Sequence, residues 1–402
     1  QILGTNGKGS TAAMITSILT SAGLRVGLFT SPHLHSFVER IRLGLTPITR
    51  QQFADLFSCL WPAAEAVAND PKFPNDSGKL TTLEFLTGMA FHYFRQTNAS
   101  YQVIETFVGG RHDITNLVRP ILSVITNISR DHIPALGDTL LDIARAKAGI
   151  IKKGAPVVIA PQRQPVHSVL KREAAKVGTK IEMVKATSLT TNHYSVERLA
   201  QPLHWRGRYG QYNVTFPLIG KGQAENAALA ITAVENLIDL NAPIKPRDIC
   251  HGLRHVSWPA RFELLQKNPV PVICDGAHCP HAMSQLVSEL KRLRPIRPIL
   301  ALVGGQQGHD TPATLRLLHP HVAAIFVSQS RHPRALPARI LADKLHRPGV
   351  TVQASSLTVP ETLQKMITGA SSHQLIVATG SLSIAAEARE ALHPSIEVDH
   401  YS

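Results

Sequence analysis

Residues Gly4 to Thr11 read GTNGKGST, a glycine-rich run carrying one lysine and the hydroxyls of Thr5, Ser10 and Thr11. Glycine lets the backbone approach an anion closely, and a lysine beside it offsets the charge. The common phosphate loop is GxxxxGK[ST]; this one is shorter before Gly7-Lys8, and Gly9 separates the lysine from the hydroxyls. The STAAMITSILTSAG stretch beyond it has the pattern of a helix, so its first amides and positive dipole end would face the anion. A nucleotide triphosphate is the implied ligand, with Ser10 or Thr11 able to reach Mg²⁺. The plainer reading is a glycine turn that only caps a helix.

Three further residues have chemistry to offer, and each has an ordinary explanation when taken alone. Glu105 ends the apolar run YQVIET and could give a hard oxygen to Mg²⁺, or be a solvated charge. His132, in NISRDHIPALG, also follows an apolar run; a histidine there is ordinarily a hydrogen-bonded structural one. Lys147 shares a helical stripe with Leu140, Ile143 and Ile151. It either carries its ammonium to the rim of that face or is desolvated, with a reactive neutral amine. In CDGAHCPH, Cys274, His278, Cys279 and His281 could make a zinc site, but there is no second CxxC arm. Cys274 ends an apolar strand, where burial is the usual fate of a free thiol.

Apolar runs of strand length must position these groups: YQVIET, ILSVIT, APVVIA, PVPVIC, PILALVG, AAIFVS and QLIVAT, with helical patterns between them. Continuous apolar strands with intervening helices predict parallel sheets covered on both faces. In such sheets ligands sit at the carboxyl ends of strands. Glu105, Asn127 to His132, Asp275 to His278, Gly304 to Asp310 and Thr379 to Ser381 all follow apolar runs directly. Residues 190 to 220 alternate polar and apolar residues around a glycine turn, which predicts an antiparallel excursion. A helix over about 223 to 237 follows it.

The 402 residues exceed one ordinary domain, and the division expected is 1–257 and 258–402. Only Gln1, Ile2 and Leu3 precede the glycine loop, too few for the buried strand that should feed it, so the sequence is expected to be trimmed at its start. The formal charge of +14 is spread along the chain without a basic arm, and aromatics are 5%. That favours a small anionic ligand over nucleic acid. Four cysteines give no disulfide framework, and no apolar run reaches membrane-spanning length. The expectation is a soluble cytoplasmic protein with no membrane partner, monomeric.

Taken in order, GTNGKGS, TSPHL, ERI, LTTLEFLTGMAFHYF, GGRHDITN, DHIPALGDTLLDIARAKAGIIK, WPARFE, DGAH and TGSL span nearly the whole chain. This series closely resembles the folylpolyglutamate synthase and dihydrofolate synthase family of the Mur ligase superfamily. The resemblance implies an α/β P-loop ATPase domain with a small antiparallel excursion, then a second Rossmann-like α/β domain that binds glutamate. It implies ATP-driven amide formation between L-glutamate and a reduced folate or dihydropteroate, with Mg²⁺. By that resemblance Gly4, Thr5, Asn6, Gly7, Lys8, Gly9, Ser10 and Thr11 hold the triphosphate. Ser10, Ser31, Glu105 and His132 serve the metals, and Lys147 becomes a carbamylated lysine near them. Asn226 and Arg261 match adenine and phosphate contacts, Asp275 a nucleotide contact, and His278 lies towards glutamate.

Several positions depart from the family pattern. Ala146 replaces a glutamate, Cys279 an asparagine, Gly222 a histidine, Gly308-His309 a charged pair, Gly44-Leu45 an Asn-Gly turn and Phe107 a glycine. The triphosphate and metal residues remain and most departures fall around the cleft and closing loops, so ATP use is expected to be retained more securely than the acceptor. A related ligase for another acid and amine, or a non-catalytic ATP-binding relative, are the alternatives these departures leave open.

Overall fold

The computed structural model describes residues 1–70, 80–129, 136–185, 189–191, 200–293, 297–308, 310–346 and 351–399. Each apolar run expected to be a strand contains one. Ile2–Leu3, Ser123–Ile125, Val157–Ile159 and Ile181–Met183 lie side by side, all parallel. Val26–Phe29 pairs in parallel with Tyr101–Ile104; on its other side Ile41–Leu43 runs antiparallel and pairs in turn with Thr46–Pro47. A parallel bridge between Ile2 and Glu105 ties the two sheets together.

The excursion forms as Leu189–Thr191, Gln201–Arg206 and Gln211–Phe216, an antiparallel sheet. Residues 192–199 of the expected excursion lie outside the described residues. Alternate side chains of its last two strands are buried, as a sheet with one wet face requires. Gln201 then clamps the following turn, with Nε2 donating to Leu218 O and Gly220 O at 2.8 and 3.0 Å. That turn opens the Lys221–Asp239 helix, which contains the helix expected at 223 to 237.

The helix after the glycine loop, Lys8–Ser21, is buried continuously from Ser10 to Leu19. An all-round buried helix needs small neighbours, and the sequence provides them. A Cβ on Gly252 would stand 2.4 Å from Ile18 Cα, and Ser17 Oγ donates to Gly252 O at 2.8 Å. The phosphate loop is therefore anchored to the centre of the first lobe.

The second lobe is a six-stranded sheet in the order Glu263–Gln266, Val272–Cys274, Leu375–Thr379, Ile299–Val303, Ala324–Val327, Thr351–Ala354. Glu263–Gln266 is antiparallel; the other neighbours are parallel. Helices cover both faces, giving two separate apolar clusters, one on each side. The chain passes between the lobes at Val256 to Ala260; Ala260 and, just beyond, Phe262 adopt left-handed φ of 56° and 49°. Among the described residues, no helix is long and apolar enough to cross a membrane.

Some family motif residues turn out to be helix caps. Thr81 and Glu84 of TTLE form a reciprocal capping box on Thr82–Gln96, and Thr139 and Asp142 do so on Leu140–Lys147.

Candidate nucleotide and ligase site

A cleft of about 1060 Å³ runs between the lobes. Its first wall is the glycine loop. Thr5 N donates to Asn127 O at 2.8 Å, and Thr5 Oγ1 and Ser129 exchange bonds at 3.1 Å, fixing the loop to the end of Ser123–Ile125. Gly7 has φ of 84° and serves as the helix N-cap, so the amides of the first turn open towards the cleft. A Cβ at Gly4 would lie 1.8 Å from Thr126 Oγ1, which makes glycine obligatory there. Lys8 Nζ donates to Thr5 O at 3.2 Å. Thr5 to Ser10 line the cleft, whereas Gly4 and Thr11 lie behind it, with Thr11 fully buried.

Glu105 leaves its strand at the carboxyl end and is 3% exposed, with Oε2 accepting from Ser31 N at 3.1 Å. Burial pushes the Glu105 carboxyl up, against the opposing pull of Lys8, the Ser31 amide, Arg261 and Arg40. Ser31 Oγ accepts from Arg40 Nη1 at 3.0 Å, and Arg40 Nε donates to His33 Nδ1 at 2.9 Å. His33 is pushed down to about 4, first by burial and then by Arg40.

The Lys221–Asp239 helix provides the other side of the loop. Gln223 Nε2 donates to Ser10 Oγ at 3.3 Å, and Asn226 Nδ2 donates to Gln223 Oε1 at 3.2 Å. Asn226 lies so close to Gly7 that a Cβ there would meet its Oδ1 at 2.3 Å. Gln223 joins the serine hydroxyl to Asn226, a part that sequence reasoning missed; its spacing of three from Asn226 on one helix face was the available signal.

From the second lobe come Arg261, Asp275 and His278. Asp275 follows Val272–Cys274 and accepts from Phe262 N and Ala277 N, both at 2.8 Å. Burial pushes its carboxyl up, while Arg261 pulls it down. Arg261 thus acts electrostatically on carboxylates of both lobes, Asp275 here and Glu105 opposite. His278 Nδ1 donates to Gly276 O at 2.9 Å. The cysteines of CDGAHCPH have separate partners: Cys274 Sγ donates to Glu263 Oε2 at 3.7 Å, and Cys279 Sγ to Asn6 Oδ1 at 3.6 Å.

Lys147 is 1% exposed, so its ammonium does not reach the rim. The helix ends at Lys147 and a tighter turn, Ala148–Ile150, folds it inward. Its Nζ donates to Gly4 O at 2.9 Å, supporting the glycine loop from behind the cleft wall. Gly110 and Gly149 allow this approach: a Cβ on Gly110 would meet Lys147 O at 2.7 Å, and one on Gly149 would meet Arg111 N at 2.4 Å. His132 and His309 lie outside the described residues.

The departures from the family pattern have local accommodations. Gln285 of the second lobe occupies the space at Gly222, its Oε1 2.5 Å from where a Cβ would stand. Phe107 packs edge-on against Phe29 with ring centroids 5.3 Å apart. Gly44 makes its turn with φ of 61°. The cleft also includes Arg331, His332, Arg334, Glu390, Val398 and Asp399, which sequence reasoning did not single out.

Beside the loop the cleft offers oxygen donors, the Ser10 hydroxyl of the loop itself with the Glu105 carboxylate and the Ser31 hydroxyl. This set fits a hard divalent cation that keeps several ligands from phosphate and water.

The family model for the Mur ligase middle domain matches residues 2–234, and that for the Mur ligase glutamate ligase domain matches 260–382. The dihydrofolate synthase/folylpolyglutamate synthase of Bacillus subtilis (strain 168) is 32% identical over 393 residues, covering 97% of this chain and 89% of that protein. The folylpolyglutamate synthase of Lacticaseibacillus casei is 33% identical over 407 residues, with the same 97% and 89% coverage. The fold is similar to that of Mycobacterium tuberculosis folylpolyglutamate synthase complexed with ADP and AMPPCP. There the TM-score is 0.86 at 29% identity, over 98% of this chain and 90% of that one.

Proposed function

This chain belongs to the Mur ligase family, and we propose that it uses ATP to join L-glutamate to a folate carboxylate, that of a reduced folate, of dihydropteroate, or of both. The observation that carries this reading is the cleft itself. A phosphate loop and Glu105 on one lobe face Arg261, Asp275 and His278 on the other.

A carboxylate is a poor electrophile because oxide leaves badly. Its oxygen attacks the γ-phosphorus of ATP, the bond to the β–γ bridging oxygen breaks, and ADP leaves an acyl phosphate. The opened amides of the Lys8–Ser21 helix, Lys8 and Arg261 offset the moving charge. Ser10, Ser31 and Glu105 would hold Mg²⁺, which would supply offsetting charge to the triphosphate. The amine of glutamate then attacks the acyl carbon, and phosphate departs as the amide forms. With Nδ1 donating to Gly276 O, a neutral His278 has Nε2 as acceptor for the proton that the amine loses. Asn226 and Asp275 hold the nucleotide from opposite lobes, so both lobes must be closed for transfer, and closure keeps water from the acyl phosphate.

Carbamylation of Lys147 belongs to the same proposal. A carbamate keeps one N–H, so the bond to Gly4 O survives, while its new oxygens add negative charge beside the loop. His132 is assigned to the metal on the family pattern alone.

The test is product identification by mass spectrometry after incubation with ATP, glutamate and either dihydropteroate or tetrahydrofolate. A new glutamyl amide with matching phosphate release is expected, and Glu105→Gln should lower the rate by at least about 100-fold. Phosphate release that ignores both acceptors would reject the reading; turnover with another acid only would favour the related-ligase alternative.

A further inference from the structure

The last helix, Leu382–Leu392, is followed by a tail that leaves the second lobe and lies along the first. A turn with Ile396 N donating to His393 O at 3.1 Å directs it there. Asp399 makes the main contacts. Its N donates to His35 O at 3.0 Å, its Oδ1 accepts from Ser36 Oγ at 3.0 Å, and its Oδ2 accepts from Phe37 N at 2.7 Å. Arg50 reaches Asp399 Oδ1 at 3.1 Å and Glu397 Oε2 at 2.8 Å. Glu397 is largely exposed, so that pair contributes little. Asp399 is mostly covered, and its two bonds to Ser36 and Phe37 are charge-assisted.

Ser36 caps the short turn Phe37–Arg40, and Arg40 at its end holds Ser31 Oγ and His33 Nδ1. Ser31 N in turn holds Glu105. A second contact runs parallel: His35 Nδ1 meets Glu390 Oε1 at 2.8 Å, and Arg389 Nη1 meets His35 Nε2 at 2.6 Å. Val398 and Asp399 themselves line the cleft.

We propose that Asp399 is a positioning residue: it straps the second lobe to the Ser36–Arg40 turn and so keeps Arg40 and Ser31 aimed at Glu105 in the closed enzyme. The kinetic part rests on the ligase reading above. The strap itself does not.

Asp399→Ala and Asp399→Asn, with Glu397→Gln as control, are compared in the full chain by amide hydrogen exchange and by ligase kinetics. In Asp399→Ala the Phe37 amide should exchange at least about tenfold faster. Its kcat should fall about tenfold, with the ATP KM changed less than about twofold. Asp399→Asn keeps an acceptor for Phe37 N and should recover more than half of kcat; Glu397→Gln should match wild type. Unchanged exchange at Phe37 would overturn the strap, and faster exchange with unchanged kcat would overturn its positioning role. A fall in thermal stability with equal losses in every parameter, not rescued by asparagine, would do the same. If the wild type forms no amide, the ligase reading fails at that step, and exchange at Phe37 still decides whether the tail holds the turn.

Discussion

Substituting one glycine should separate the role of the Lys147 support from ordinary effects of losing a glycine. A Cβ at Gly149 would stand 2.4 Å from Arg111 N and 2.5 Å from Arg111 Cα, and both are backbone atoms that no rotamer change can move. Ordinary contact requires the Ala148–Ile150 turn to retreat by about 1 Å, an overpacking cost of about 2 to 3 kcal/mol. Lys147 adjoins that turn, and a shift of that size would stretch its 2.9 Å bond to Gly4 O beyond hydrogen-bond range. Gly149→Ala should therefore lose about 4 to 8 °C in Tm and on the order of 100-fold in kcat. Gly88 provides the matched control: it sits mid-helix in Thr82–Gln96, exposed, with nothing within 4 Å of a new Cβ. Gly88→Ala should gain about 0.5 to 1 kcal/mol and leave kcat unchanged. Calorimetry and a coupled ADP-release assay on both variants decide the matter. A Gly149→Ala protein with wild-type Tm and turnover would refute the claim that close backbone contact sets the position of Lys147.

Two other outcomes follow from buried charge. Burial pushes the Glu387 carboxyl up, and its Oε2 has no hydrogen-bond partner among the described residues. A raised folded pKa means that the protonated form suits the fold, so the group's contribution is present below the ordinary carboxylate range and is lost as pH rises through the raised value. Glu387→Gln should raise Tm by about 2 °C at pH 8, with the gain vanishing near about pH 4, as calorimetry across pH will read. Carbamylation predicts that depleting bicarbonate slows the wild type reversibly, while a Lys147→Met protein should be slow with or without bicarbonate. A wild type indifferent to bicarbonate, with no added mass on Lys147 under native handling, would remove the modification from the mechanism.

Much of the architecture was legible because buried parallel strands are written as uninterrupted apolar runs, and Val272–Cys274 or Leu375–Thr379 could hardly be mistaken. The site residues at strand ends, Glu105 and Asp275, were legible for the same reason. The direction of Lys147 was not: helical periodicity places it on the buried face, but the inward fold at Ala148–Ile150 depends on Gly110 lying against Lys147 O and Gly149 against Arg111 N, segments far apart in sequence. Nor was Gln285 in the space at Gly222, since side chains from different lobes share no local pattern. The tail at Glu397–Asp399 reads as nothing more than scattered acidic residues until it is seen against His35 to Arg50.

The single covalent passage between the lobes has a mechanical consequence. A body tethered at one point can swing about any axis through that point, which would let the phosphate loop and Asp275 miss one another in many ways. Asp399 at Phe37, with Glu390 and Arg389 on His35 close by, adds a second attachment; Glu289 Oε1, accepting from Lys221 N at 3.2 Å, and Cys279 Sγ on Asn6 add contacts across the cleft. Rupture of those cross-cleft contacts with the tail kept leaves one axis, through the passage and the tail, so the lobes would open like a door on two hinges and return along the same arc.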